Sequence, residues 1–181
     1  MLKRYLPIAS LLLLAFTCHR EYVGPDVYFG PGESITYRDA QGRLNGPQDP
    51  DDWTSDATWS GEELYLFSSP PGTGPNPLNG PQQLATVSHT EAWPTPTPDG
   101  QATWQIRLSP TAPCPCLVDM VFVSRRYYVE TDMRYVTLQA GDSLRVPLRT
   151  YEPGQPYRVF YLVRNNNGLL YKGHGDVRAT K

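Results

Sequence analysis

Apolar and polar residues alternate with a period of two along most of this chain. The plainest case is Gln101–Leu108, where Ala102, Trp104, Ile106 and Leu108 fall on one side and Gln101, Thr103, Gln105 and Arg107 on the other. That alternation predicts a strand with one face on a core and one in water. Leu144, Val146 and Leu148 alternate with Arg145 and Arg149 in the same way. Pro147 falls on the outward set and cannot donate to a ladder, which predicts an edge strand. Runs at 64–67, 84–87, 118–123 and 135–138 read as further strands, with a short one at 127–129. Turn signals such as Asp99-Gly100 and Gly141-Asp142 separate them. About seven to nine short strands with such punctuation predict an all-β fold, an antiparallel β-sandwich. No amphipathic helix of ordinary length is visible after residue 18, and no internal repeat.

Two segments are too rich in proline for helix or central strand: Ser69-Pro70-Pro71-Gly72-Thr73-Gly74-Pro75-Asn76-Pro77, and Trp93-Pro94-Thr95-Pro96-Thr97-Pro98. Both read as surface loops or extended polyproline-like pieces. Residues 18–60 read as a tether rich in Pro, Gly and Asp, leading into a sandwich domain at 61–181. Turn clusters stand at Gly30-Pro31-Gly32, Gly46-Pro47 and Asp49-Pro50-Asp51-Asp52. Within the tether, Val27-Tyr28-Phe29 and Ile35-Thr36-Tyr37 are β-like and able to add one or two strands to a sheet.

The strongest local pattern is C-terminal. Tyr157, Val159, Tyr161 and Val163 share one strand face, and Asn165-Asn166-Asn167-Gly168 supplies residues that tolerate φ > 0, as a hairpin turn requires. Trp104, Ile106, Val159 and Tyr161 are therefore expected inward, Arg107 and Arg158 outward. Just upstream stands Tyr151-Glu152-Pro153-Gly154-Gln155-Pro156-Tyr157. A Pro-Gly turn followed closely by Tyr at the start of a penultimate strand resembles the tyrosine corner of fibronectin type III and immunoglobulin-like sandwiches. The resemblance implies that the Tyr157 ring packs at the corner and that its hydroxyl bonds to backbone near Tyr151 to Gly154. It covers about 30 residues, and no cysteine pair spans the sheets as in antibody-type domains.

The first 17 residues stand apart. Lys3 and Arg4 precede an apolar run from Ile8 to Phe16, too short to span a bilayer and of the length of a signal-peptide core. Ala15-Phe16-Thr17-Cys18 follows. A small residue, a bulky one, a small one and then Cys at the end of the apolar run resembles the lipobox of bacterial lipoproteins, although the usual large residue three before the Cys is here Ala15, with Leu14 one place earlier, and Phe16 is unusual at the second position. The resemblance implies cleavage before Cys18, a diacylglyceryl thioether on its sulfur, acylation of the new amine, and a place in the cell envelope, on the outer membrane. Two or three acyl chains hold a protein durably where one holds it only marginally. Ordinary secretion, with Cys18 merely a thiol, is the alternative.

Composition narrows the partners. With 16 Lys+Arg against 18 Asp+Glu, the chain lacks the basic balance that nucleic acid selects. Loss of Lys3 and Arg4 with the leader makes the mature chain more acidic still, so lipid rather than charge would do the anchoring. Twelve Tyr and four Trp supply apolar mass. Trp53 and Trp93, in expected loops, and Trp59 are candidates for a sugar- or peptide-binding face, whereas Trp104 belongs to the core.

Candidate chemistry is sparse. Cys114-Pro115-Cys116 allows a tight local disulfide, two free loop thiols, or a metal or thiol-exchange site; two thiolates are too few for structural zinc. In Gly173-His174-Gly175-Asp176, His174 and Asp176 share a strand face and are able to ligate or relay a proton. Glycine on both sides of the His points instead to a bulge or a close backbone contact. Asp49, Asp51, Asp52 and Asp56 make an acidic loop without EF-hand spacing, read as a solvated linker. His19 and His89 show no acidic or Cys neighbour set. No nucleophile elbow, phosphate loop, dinucleotide fingerprint or zinc-protease motif is present. No cofactor and no catalytic residue is therefore nominated. The leading expectation is a lipid-anchored envelope protein whose sandwich binds a protein or glycan partner or has a structural role. The alternatives are an envelope hydrolase or metal-handling protein using Cys114, Cys116, His174 or Asp176, and carbohydrate binding through exposed aromatics.

Overall fold

The computed structural model describes residues 25–67 and 77–180. The leader, Cys18, His19 and most of the first proline-rich run lie outside the described residues. The strands are β1 (Thr54–Ser55), β2 (Val87–Trp93), β3 (Gln101–Leu108), β4 (Cys116–Ser124), β5 (Val129–Leu138), β6 (Ser143–Arg149), β7 (Pro156–Asn165) and β8 (Gly168–Arg178). They form two antiparallel sheets, one of order β2-β3-β6 and one of order β1-β8-β7-β4-β5. The chain is an all-β sandwich. Setting β1 aside, the first, second and fifth strands face the third, fourth, sixth and seventh.

Between the sheets, Trp104, Ile106 and Leu108 of β3 meet Met120 and Phe122 of β4, Val159 and Tyr161 of β7, and Tyr171 and Val177 of β8. All are buried, and the Trp104 and Tyr161 rings stand 5.5 Å apart. Arg107 is exposed, and Pro147 lies on β6 at the edge of the smaller sheet. Asn165 pairs with Gly168 across a two-residue turn, closing the β7–β8 hairpin.

Several expectations change. Arg158 points away from the sandwich core, as its place opposite Val159 requires, yet it is buried, because β7 is covered on both faces. The cover is the chain read as a tether. Val27, Phe29, Trp59 and Leu78 pack with Val121, Val123, Phe160 and Leu162 in a second apolar cluster on the outer face of the larger sheet. Val27 to Phe29 lies there without forming a strand, and Ile35 to Tyr37 forms none either; Thr54–Ser55 is the part of the segment that joins the sheet, against His174 and Gly173.

Residues 64–67 are not a strand but the end of a short helix, α1 (Gly61–Phe67). Ser60 and Glu63 form half of a capping box, the Ser60 backbone N–H donating to Glu63 Oε2 at 2.5 Å. At the other end, Arg134 donates to the Leu66 carbonyl at 2.8 Å, satisfying an orphan acceptor of the last turn. Trp59 stacks on Phe67 at 5.0 Å, which seats α1 on the cluster. Residues 84–86 form a 3₁₀ turn leading into β2, and Arg125 and Arg126 form the turn before β5, with Tyr127 and Tyr128 between that turn and the strand.

The Trp93-to-Pro98 segment is not a surface loop: it bends at each proline and bridges to neighbouring chain at Thr95 and Thr97. Its prolines and threonines alternate, so Thr95 and Thr97 supply the N–H groups that proline lacks. Thr95 exchanges hydrogen bonds with Arg38, and Thr97 donates to the Arg178 carbonyl. Both threonines are fully buried.

Candidate functional site

The densest group of ionisable side chains lies where residues 49–59 cross β8. Side chains on β8 alternate, so Lys172, His174 and Asp176 face outward while Gly173 and Gly175 face the core side. The two glycines are required there. A Cβ on Gly175 would lie 2.2 Å from the Trp53 ring, and one on Gly173 would lie 2.1 Å from the Thr54 carbonyl oxygen. The register between β7 and β8 is continuous through both, so they mark close contact and not a bulge.

Each outward group on β8 then finds a partner. Arg158 of β7 holds Asp176 through two bonds, Nε to Oδ1 at 2.7 Å and an Nη to Oδ2 at 2.8 Å. Asp52 accepts the Asp176 N–H at 2.8 Å with one oxygen and the Thr36 N–H at 2.7 Å with the other. His174 Nδ1 lies 2.7 Å from Asp56 Oδ1, and Trp59 Nε1 donates to Asp56 Oδ2 at 2.6 Å. Lys172 donates to Asn79 Oδ1 at 2.6 Å and lies over the Trp59 ring, 4.9 Å from its centroid. The backbones join as well: the Trp53 N–H donates to the His174 carbonyl and the Asp56 N–H to the Lys172 carbonyl.

Burial sets the electrostatics. It pushes the Asp52 carboxyl up to about 7, with the nearby Asp176 charge adding to the shift. Burial disfavours a charge on His174, but the bond to Asp56 and the Asp56 and Asp176 charges together outweigh it, and the net shift is upward. Burial also works against the Arg158 charge and is overcome by Asp176, so the guanidinium is held more firmly protonated. Lys172 is shifted down by its burial. A cleft of about 380 Å³ opens beside the cluster, lined by Tyr28, Asp51, Asp56, Arg158, His174 and Asp176 among others.

The arrangement does not assemble a nucleophile. Among the described residues, no Ser or Thr hydroxyl bonds to the His174 ring. Cys114 and Cys116 are joined as a disulfide at the start of β4, with Cys116 in the core between the sheets. His174 lies on the opposite face of the sheet, so the four residues considered for hydrolytic or metal chemistry are not brought together. Among the described residues, no three of His, Cys, Asp or Glu are grouped to hold a metal ion.

The acidic loop is not a solvated linker. Asp52 and Asp56 turn inward to β8, and the Asp49 carboxylate accepts from Ser34 Oγ and from the Asp51 N–H. His89 does have an acidic neighbour: its Nε2 lies 2.9 Å from Glu91 Oε1, two residues along β2, and Arg38 takes the other oxygen at 2.9 Å. Trp53 and Trp59, considered for a binding face, are buried, and Trp93 is half-buried beneath the Arg145 guanidinium. Among the described residues, the exposed aromatics are tyrosines: 28, 65, 128, 135 and 151.

Tyr157 opens β7 and is 2 % exposed. Its hydroxyl oxygen accepts the Tyr151 N–H at 3.1 Å and the Glu152 N–H at 2.9 Å. Its ring stacks on Phe122 at 5.3 Å. The β6–β7 corner is thus tied from the strand start back to the turn.

No protein-family model matches the chain, and no curated protein matches its sequence. Among solved structures, it is similar to a β-glucuronidase from glycoside hydrolase family 2, at 9% identity and a TM-score of 0.31. That match covers 50% of this chain and 11% of the β-glucuronidase chain.

Proposed function

We propose that this chain is a lipid-anchored protein of the cell envelope, held by acyl chains on Cys18, whose sandwich is a binding or structural module and not a catalytic one. The supporting observation is the use to which the ionisable groups are put. Asp52, Asp56 and Asn79 hold the Asp176 N–H, His174 and Lys172 of β8, and Arg158 of β7 is spent on Asp176. The part of the chain nearest the anchor is thereby locked to the sandwich, which fits a module that must be held in a fixed pose on a surface. A disulfide between Cys114 and Cys116 fits an oxidising compartment outside the cytosol. The test is fractionation of cells expressing Cys18→Ser. Release of the protein from membranes is expected, and a variant that stays membrane-bound as a cleaved, lipid-labelled product overturns the anchor.

A further inference from the structure

We infer that one end of the sandwich, built by the Arg125 to Tyr128 turn, Tyr28 and Tyr151, rests on the surface of the lipid bilayer. The inference rests on the reading of Cys18 as the lipidated residue.

The ends of the sandwich differ. At one end lie the β2–β3, β4–β5 and β6–β7 connections. Tyr128, Val129 and Tyr151 are exposed there, at 51%, 51% and 61%, and Arg126 is exposed beside them. Tyr28 joins them, 73% exposed, because its neighbour Val27 donates its backbone N–H to the Arg125 carbonyl at 2.8 Å. Tyr65 of α1, with Leu66, Tyr127 and Val129, lines an apolar groove of about 410 Å³ that continues the patch onto the flank. The loops at the opposite end, 109–115, 139–142 and 166–167, carry no exposed large apolar residue; Leu84, at the entry to β2, and Tyr135, three residues before the end of β5, lie toward that end but outside its loops.

Chain connectivity chooses the occupant. Val27 is fixed at the tyrosine-bearing end, and Cys18 precedes it by nine residues, a span of at most about 30 Å when fully extended. Lipid on Cys18 therefore holds this end, not the other, next to the membrane. Tyrosine is suited to that boundary, with a ring for the acyl region and a hydroxyl for the headgroups, and arginine can lay its stem along it. Charge does not drive the contact: Arg125 and Arg178 are both paired with Glu33, and Glu152 lines the same hollow as Arg126. The surface is thus suited to shallow contact by a protein already tethered, and too weak to bind membranes alone.

The test uses the full lipidated chain in vesicles of phosphatidylethanolamine and phosphatidylglycerol. A fluorophore is placed through Tyr128→Cys, through Arg126→Cys as a second position, or through Asn166→Cys at the far end. Brominated lipids quench a label that sits in the interface, about 5–10 Å into the headgroup–acyl boundary. Emission is expected to fall about twofold for labels at 128 and 126 and to hold steady at 166. Equal quenching at both ends, or none at either while the protein stays on the vesicles, overturns the docking and leaves the anchor standing. A protein purified without lipid on Cys18 overturns both.

Discussion

Asp52 accepts the backbone N–H of Asp176 from 124 residues away in the chain, and the same carboxyl takes the N–H of Thr36. One buried side chain thus joins the N-terminal segment to the last strand and to its own upstream turn. Asp52→Ala leaves both N–H groups without a partner in a buried place. A loss of about 2–4 kcal/mol is expected, read as a lower urea midpoint, with Asp52→Asn costing less because it keeps one acceptor.

The same junction makes the fold weaken as pH rises through neutrality. Asp52 titrates near 7 when folded and near 3.8 when unfolded, so the native state holds the extra proton. Its contribution is full below pH 3.8 and is lost as pH rises through 7. His174, also shifted upward, acts in the same direction: its contribution is present below its unfolded value and lost above its folded one. The groups facing them are Arg158, Asp176 and Asp56. Between about pH 5 and 8 the stability should fall by about 2–3 kcal/mol, and Asp52→Asn should flatten most of that slope. Equal urea midpoints for the native chain at both pH values contradict the assignment.

Tyr157→Phe keeps the ring and removes the acceptor for two N–H groups, and should cost about 1–2 kcal/mol. Tyr157→Ala also opens a cavity against Phe122 and should cost about 3–5 kcal/mol. The order of the two is the check, and silence of both in urea melts removes the corner from the account.

Gly175→Ala drives a methyl into the Trp53 ring and should cost about 1–3 kcal/mol through overpacking. The effect should be local. Hydrogen exchange is expected to speed at residues 52–56 while β3 and β4 keep their protection. Uniform loss of protection across both sheets is the contrary result.

Replacing both Cys114 and Cys116 by Ser opens a ring of three residues, which removes little entropy from the unfolded chain. A change of no more than about 1–2 kcal/mol is expected in thermal or urea unfolding. Loss of folding contradicts a local structural role.

The sandwich was legible because its strands declare themselves one at a time. Ala102 to Leu108 alternates cleanly, and the Pro-Gly turn before Tyr157 needs no knowledge of distant residues. The second layer was harder, because its partners lie from 68 to 124 residues apart and each half reads as an ordinary polar loop. Two local signs did exist. Tyr157 to Val163 is apolar on both faces apart from Arg158, which is the pattern of a strand covered on both sides. Ser60-Gly61-Glu62-Glu63 is a capping-box sequence ahead of an apolar run. The cluster itself could not be read: Gly173-His174-Gly175-Asp176 shows the glycines and the side-chain alternation, but nothing local shows that Trp53 and the Thr54 carbonyl fill the space the glycines leave, or that Asp56 and Asp52 meet His174 and Asp176.

The most direct measurement is the mass of the N-terminal tryptic peptide of the mature protein. The account predicts a peptide beginning at Cys18 and ending at Arg20, carrying a diacylglyceryl thioether on sulfur and an acyl chain on the amine. An unmodified Cys18, or a peptide that retains leader residues, contradicts it.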